Sequence, residues 1–175
     1  MRLVISTVFP TDMHLILEVT PDSDAEAIQE TIDEAMKPYR ASLICDEWHV
    51  IHYDIDEIPH GIAEECNPEA WIAWAQAYEE HGAAFTAYVD DRYSNRYTGE
   101  DIDESVASFV DSYLGIHDSE EDYAEEYVEE AGILNGDSEL AQRYFDYERF
   151  SRDLFLTDVY SLPAPGGHIY VFTNH

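Results

Sequence analysis

Short apolar stretches typical of strands occupy most of the first third of the chain, and they flank one stretch with helical spacing. Residues 2–8 and 13–19 predict two strands joined by a Phe-Pro-Thr-Asp turn. Residues 25–36 carry apolar side chains every three or four positions with glutamates between them, which predicts an amphipathic helix. Residues 42–45 and 48–53 predict further strands, the second rich in aromatic and β-branched types.

The middle of the chain changes to a helical pattern after a predicted loop at residues 54–66. Asn67 is a suitable N-cap and Pro68 suits the first position of a helix. Gly82 separates this helix from a second one, and residues 90–99 predict a polar loop. The side chains predicted to face inward are Trp71, Trp74, Ala75 and Tyr78 in the first helix, Phe85, Tyr88 and Val89 in the second, and Ile102, Val106, Phe109, Val110 and Tyr113 in a third.

The last third predicts a strongly acidic helix over residues 120–131, with Asp118 or Ser119 as N-cap and Gly132 as the terminating residue. Its predicted core side chains are Tyr123, Tyr127, Val128 and Ala131. One or two helices through residues 140–152 follow, and then two strands, at 158–162 and 168–173, which form a terminal hairpin. The predicted fold class is therefore α+β.

The net charge of the chain says more about its function than any motif does. The 175 residues include 39 Asp and Glu against 8 Lys and Arg, which gives a formal net charge of −31. This balance excludes direct binding of nucleic acid or of an anionic membrane, because both require a basic patch. The chain has no apolar run of membrane-spanning length and no signal-peptide core, and its two cysteines are too few for a disulfide scaffold. We therefore expect a cytoplasmic protein.

The acidic residues are spread evenly along the chain. Residues 1–60, 61–115 and 116–175 carry net charges of −10, −10 and −11. These segments correspond to three predicted small domains: an N-terminal α+β domain, a helical domain and a C-terminal α+β domain. A globule of this length would be about 40 Å across, whereas 31 charges on double-stranded DNA would extend over about 53 Å. An elongated chain of domains would relieve the repulsion and match that charge density.

Catalytic and metal-binding chemistry receives no support from the motifs. Carboxylates are so numerous that an acid/base pair has no diagnostic value, and we assign no catalytic residue. The Asp-Ile-Asp sequences at residues 54–56 and 101–103 do not continue into a calcium loop. His49, His52, His60 and Cys66 do not have the usual spacing of zinc ligands. We predict neither a metal nor a cofactor.

Two explanations of the acidic runs follow from composition. One is a solvated surface, as in a salt-adapted binding module for another basic protein, consistent with the single lysine, Lys37. The other is imitation of DNA phosphates inside the DNA-binding groove of another protein, which the even charge distribution favours. A small acidic enzyme is a further class, and composition alone does not choose among the three.

The sequence that begins at His117 distinguishes among these three explanations. The stretch HDSEEDYAEEYVEEAG at residues 117–132, followed by YFDYERFSRDL at 144–154, resembles the ArdA antirestriction family, whose pattern runs roughly DSEEDFAEEFAEDTG and then YIDYEAFARDL. The closing HIYVF at 168–172 and HYDIDEIP at 52–59 are also similar to the family. The usual N-terminal family pattern, IYVANLAxYNxGxLxGxW, is absent.

The resemblance implies an elongated protein of three small domains that dimerises through its C-terminal domain and mimics bent B-form DNA. It also implies inhibition of type I restriction-modification enzymes, by occupation of the groove in which the methyltransferase core holds DNA. Family members often travel on mobile genetic elements. We therefore predict a non-enzymatic DNA mimic whose partner is a type I enzyme. The carboxylates expected on the partner-binding surface are Glu120, Glu121, Asp122, Glu125, Glu126, Glu129, Glu130, Asp101, Asp103, Asp90 and Asp91. Arg149 and Arg152 are expected to hold local acids.

Overall fold

A computed structural model of the chain describes residues 1–7, 14–38, 48–53, 58–64, 67–93, 97–136 and 138–174. These residues form two compact units, Met1–Ser108 and Phe109–His175. Each unit contains a three-stranded antiparallel sheet and helices, which confirms the α+β class. The predicted division into three domains is not confirmed, and the boundary at residue 60 stays a prediction.

The first unit contains a sheet whose strand order is β2-β1-β3. Its elements are β1 Arg2–Thr7, β2 His14–Glu18, α1 Ala25–Met36, β3 Trp48–Tyr53, α2 His60–Glu64 and α3 Pro68–Tyr93, followed by a short 3-10 helix, Gly99–Asp101. Leu3 on β1 pairs with Leu17 on β2, and both side chains are buried. Ile28, Ile32 and Met36 are the buried face of α1, as their spacing predicts.

Aromatic side chains of α3 make up most of the core of the first unit. Trp71 and Trp74 are fully buried, and the indole nitrogen of Trp71 donates to the carbonyl of Ile62 at 3.0 Å. Trp74 stacks on Phe85 with ring centroids 5.0 Å apart, and its other neighbour is Tyr97 at 5.7 Å. Since Phe85 lies beyond the break at Gly82, where φ is +65°, these contacts hold the two halves of α3 together.

Sequence-based predictions for the first unit need two corrections. The predicted loop at 54–66 contains the helix α2, and α3 continues through Asp90 and Asp91 to Tyr93, where a polar loop was expected. Apolar packing of Tyr88 and Val89 extends the helix into this polar sequence. The predicted turn at 9–12 and strand at 42–45 lie outside the described residues.

In the second unit the sheet has the order β4-β6-β5. Its elements are β4 Tyr113–His117, α5 Glu120–Glu130, α6 Glu139–Arg143, α7 Tyr147–Thr157, β5 Val159–Pro163 and β6 Ile169–Thr173. They are preceded by the helix α4 Ile102–Ser112, which begins in the first unit and crosses the boundary after Ser108. Val159 on β5 and Val171 on β6 pack against Tyr123, Ala124 and Leu154, so α5 and α7 cover one face of the sheet. The predicted terminal hairpin is confirmed as β5 and β6.

The strand β4 was not predicted. The helical spacing predicts that Val110 and Tyr113 belong to the inward-facing side of the third helix. In the structure Val110 is exposed, and Tyr113 begins the strand β4. Tyr113 pairs with Phe172 on β6, and the same Phe172 stacks on Tyr160 of β5. These cross-strand aromatic contacts override the helical periodicity because they form between residues distant in sequence.

Candidate functional site

The helix α5 begins and ends at residues whose local interactions suit those positions. The side-chain oxygen of Ser119 accepts a hydrogen bond from the backbone N–H of Asp122 at 3.1 Å, which identifies Ser119 as the N-cap. At the other end Gly132 has φ of +64°, and its N–H bonds to the carbonyl of Glu129 while that of Ile133 bonds to Val128. This Schellman arrangement terminates the helix.

One side of α5 is fixed to the second unit. Tyr123, Ala124 and Val128 are buried, and the ring of Tyr123 meets that of Phe155 on α7 edge-on at 5.8 Å. Burial, followed by the charges on Tyr127, Glu126 and Glu130, raises the pKa of Tyr123, so this side chain remains a neutral phenol. Two side chains predicted to face the core, Tyr127 and Ala131, are exposed, whereas the buried Ala124 was not predicted.

The other side carries the carboxylates, and we call this set the α5 acidic face. All of its members are exposed: Glu120, Glu121, Asp122, Glu125, Glu126, Glu129 and Glu130. The acids of the first turn interact favourably with the helix dipole. The last turn contains no basic residue that would do the same at the other end. Like charges four residues apart oppose helix formation by a few tenths of a kcal/mol per pair. The helix therefore presents this charge at a local energetic penalty, which its buried side offsets.

Neighbouring strands orient part of the α5 acidic face. The side chain of His117, which is only 10% exposed, has its Nδ1 3.3 Å from an oxygen of Glu126 and 4.0 Å from one of Asp122. The hydroxyl of Ser161 on β5 donates to Glu120 at 2.8 Å. The hydrogen bond therefore orients Glu120 relative to the sheet, and Glu126 has a close neighbour on β4, whereas Asp122 lies beyond hydrogen-bond distance of His117.

Two neighbours of the α5 acidic face were missed by sequence reasoning. Asp118 is exposed directly before the N-cap, and its carboxylate lies 2.7 Å from Nδ1 of His168. Glu148 is exposed in the first turn of α7, whose N-cap is Asp146. The proximity of Asp118 to the acid run was a usable signal, but no signal in the sequence indicated that α7 packs beside α5.

The remaining predicted site residues lie on other elements. Asp90 and Asp91 are adjacent at the end of α3, and both are exposed. Partial desolvation nevertheless raises the pKa of the Asp90 carboxyl. Asp101 accepts a hydrogen bond from the hydroxyl of Thr98 at 2.9 Å, and Asp103 is exposed in the first turn of α4. Asp90 and Asp91 thus share α3, whereas Asp101 ends the short 3-10 helix and Asp103 lies on the next helix, α4.

Metal-binding geometry is absent from the part of the chain that the structure describes, where no three His, Cys, Asp or Glu side chains are grouped to hold an ion. Cys66 and the side chains of His52 and His60 lie outside that part, so the zinc hypothesis is not tested for them. Among the described helices, none combines the length and the apolar character needed to cross a bilayer.

Comparison with known proteins identifies the family. No curated protein matches the chain. A family model described as antirestriction protein (ArdA) matches residues 17–168 of the 175. The match begins within β2, includes residues 52–59 and contains the whole of α5 and α7. The members of this family are antirestriction inhibitor proteins and are not known enzymes. The chain therefore belongs to the ArdA family of antirestriction proteins.

Proposed function

We propose that the protein is a DNA mimic that occupies the DNA-binding groove of type I restriction-modification enzymes. The observation that carries this proposal is the α5 acidic face, which holds seven exposed carboxylates on a single helix that contains no basic residue. Its 11 residues extend over about 16 Å of helix axis, which corresponds to roughly one charge per 2 Å. Double-stranded DNA carries one charge per roughly 1.7 Å, so the two densities are comparable.

The proposed inhibition needs no chemical step. Lysines and arginines that hold DNA phosphates in the methyltransferase core would instead form charge-assisted hydrogen bonds with carboxylates of the inhibitor. Release of counterions from both surfaces would favour the complex, and the affinity would fall steeply with salt. Occupation of the groove would prevent both cleavage and modification of unmodified DNA, because the two reactions require the same bound duplex.

Other acids and a second copy complete the proposal. Asp90, Asp91, Asp101 and Asp103 are exposed or half-buried carboxylates on the first unit, and we include them in the partner-binding surface. We also propose that the protein acts as a homodimer in the cytoplasm, where restriction enzymes meet incoming DNA, and that its gene is carried on mobile elements. These points rest on the family and not on a contact in this structure.

A competition assay tests the proposal. A labelled, unmodified DNA duplex is bound to a purified type I methyltransferase, and the protein is added at salt concentrations from about 50 to about 200 mM. We expect stoichiometric displacement of the duplex, with an apparent affinity that falls by at least about tenfold over this range. Absence of displacement at large excess and low salt would contradict DNA mimicry and would favour a salt-adapted module with a different basic partner.

A further inference from the structure

A groove of about 620 Å³ in the second unit lies between the start of α5 and one face of α7. The α7 residues that line it are at positions 148, 151, 152, 155 and 156, a spacing that places them on the same side of a helix. Glu120 and Glu121, the first residues of the α5 acidic face, line the opposite wall. The groove is therefore continuous with that face but is not formed by it alone.

Both walls of the groove are held by contacts within the second unit. The ring of Phe155 packs edge-on against Tyr123, and Glu120 accepts the hydroxyl hydrogen bond of Ser161. On α7, Ser151 at the floor of the groove and Leu154 on the side that faces the sheet are both buried. The groove thus belongs to the folded unit and does not depend on a second molecule for its shape.

The lining combines two chemical types. Glu120, Glu121 and Glu148 supply three carboxylates, which outnumber the single guanidinium of Arg152. Beside them lie two large apolar side chains, the half-buried Phe155 and Leu156, which is 70% exposed. A large apolar side chain with this exposure is not needed to keep an acidic surface hydrated.

Lysine and arginine have the complementary chemistry. Each has an apolar stem that packs on apolar surface and a cationic head that remains near charged or polar groups. A stem against Phe155 and Leu156 would leave its head inside the groove, which carboxylates line from both helices. Arginine is also among the residues that contribute most to protein–protein affinity.

We propose that this groove receives a basic segment of the restriction enzyme, with the stem of a lysine or arginine on Leu156 and Phe155 and its charge among the groove carboxylates. The inference rests on the proposed function and adds to it an apolar contact that DNA phosphates cannot offer. Charge contacts weaken with salt, whereas the apolar contact persists. The groove therefore gives the inhibitor an advantage over DNA that increases as salt rises.

Substitution of Leu156 tests this proposal in the competition assay described above. Leu156→Ala and Leu156→Gln keep good helix-forming residues at an exposed position, and thermal unfolding verifies that each variant is folded. Loss of part of the apolar contact should weaken binding to the methyltransferase by about fivefold to tenfold. The slope of log affinity against log salt should be unchanged, because no charge is removed.

The matched control is Leu140→Ala, since Leu140 is a leucine on α6 with a similar exposure of 64% and does not line the groove. We expect its affinity to stay within about twofold of the unsubstituted protein. A photo-crosslinking residue at position 156 should also label a methyltransferase peptide that contains lysine or arginine.

The outcomes separate this inference from the proposed function. If the unsubstituted protein fails to displace DNA, both are wrong. If it displaces DNA but the Leu156 and Leu140 variants behave alike, or if the crosslinked peptide contains no basic residue, only the groove assignment is wrong. A loss confined to the Leu156 variants with an unchanged salt slope supports it.

Discussion

Nδ1 of His117 lies 3.3 Å from a carboxylate oxygen of Glu126, so a side chain on β4 contacts the α5 acidic face from the sheet side. His117 is nearly buried and its ring meets Tyr123 edge-on at 4.9 Å, whereas the side chain of Glu126 is 56% exposed. An exposed carboxylate thereby has a nearly buried polar neighbour on the adjacent strand. This contact restricts the rotamers of Glu126 and helps to keep its charge in one place.

The contact predicts energetic coupling between the two residues. A double-mutant cycle with His117→Ala and Glu126→Gln should give a coupling free energy of about 0.5–1.5 kcal/mol in chemical denaturation. The control cycle combines His117→Ala with Glu129→Gln. Glu129 lies on the same helix and has no described contact with His117, so the coupling free energy should be near zero. Equal coupling in both cycles would show that the effect comes from overall charge.

Location of charge, and not its amount, should determine inhibition. Glu121, Glu125 and Glu129 are exposed one turn apart on α5, and their joint replacement by glutamine should weaken displacement of DNA by about tenfold or more, with a shallower salt slope. Each single replacement should be nearly silent, because many carboxylates share the contact.

The matched control for that triple variant is on α1. Glu26, Glu30 and Glu34 have the same spacing and are also exposed, so their replacement by glutamine changes the net charge equally. We expect this variant to inhibit almost normally. If the two triple variants lose activity to the same extent, the acids act through net charge, as a salt-adapted surface would, and the assignment to α5 is wrong.

The α5 acidic face should reduce the stability of its own helix near its end. Glu130→Gln removes an acid from the last turn and the repulsion with Glu126, so it should raise the free energy of unfolding of the protein by about 0.5 kcal/mol. Glu121→Gln removes a similar repulsion but loses a favourable first-turn charge, and it should give no such increase. Urea denaturation at low salt measures both, and the difference should shrink at high salt.

Asp90 should make stability depend on pH. Because desolvation raises the pKa of its carboxyl, the folded protein binds this proton more tightly than the unfolded chain does. The charged form therefore disfavours folding at neutral pH, and this effect disappears below the ordinary pKa of 3.8. Asp90→Asn should stabilise the protein by about 0.5 kcal/mol or less at pH 7 and have little effect near pH 3.5. Asp91→Asn, at the adjacent exposed position, is the control, and the same pH dependence in both variants would contradict the assignment to Asp90.

Gly61 should tolerate no side chain. A Cβ atom at this position of α2 would overlap the backbone carbonyl oxygen of Tyr97, whose side chain is fully buried. Gly61→Ala should therefore destabilise the protein by about 2 kcal/mol or more. Gly136→Ala is the comparison, because a Cβ there meets no atom within 4 Å and the cost should be only about 1 kcal/mol, from its positive φ. Chemical denaturation measures the free energy of unfolding of both variants. Similar losses of stability would contradict a steric overlap at Gly61.

Local sequence determined the helix that carries the candidate site. Ser119 and Gly132 mark its two ends through hydrogen bonds within a few residues, so capping rules locate it without knowledge of the rest of the fold. The acidic residues of α5 are exposed for an equally local reason, since charged side chains retain their water unless a partner replaces it. Spacing likewise identified the buried side of α1.

Tertiary structure alone decided the rest. Tyr113 begins a strand and not another helical turn because it pairs with Phe172, far away in sequence, and Asp90 lies on a helix because its apolar neighbours pack in the core. The groove beside Leu156 exists only because α7 packs next to α5. The order of residues along the chain gives local propensity and charge, which is why it predicted the acidic helix. The packing contacts around that helix join residues distant in sequence, so only the tertiary structure determined what surrounds it.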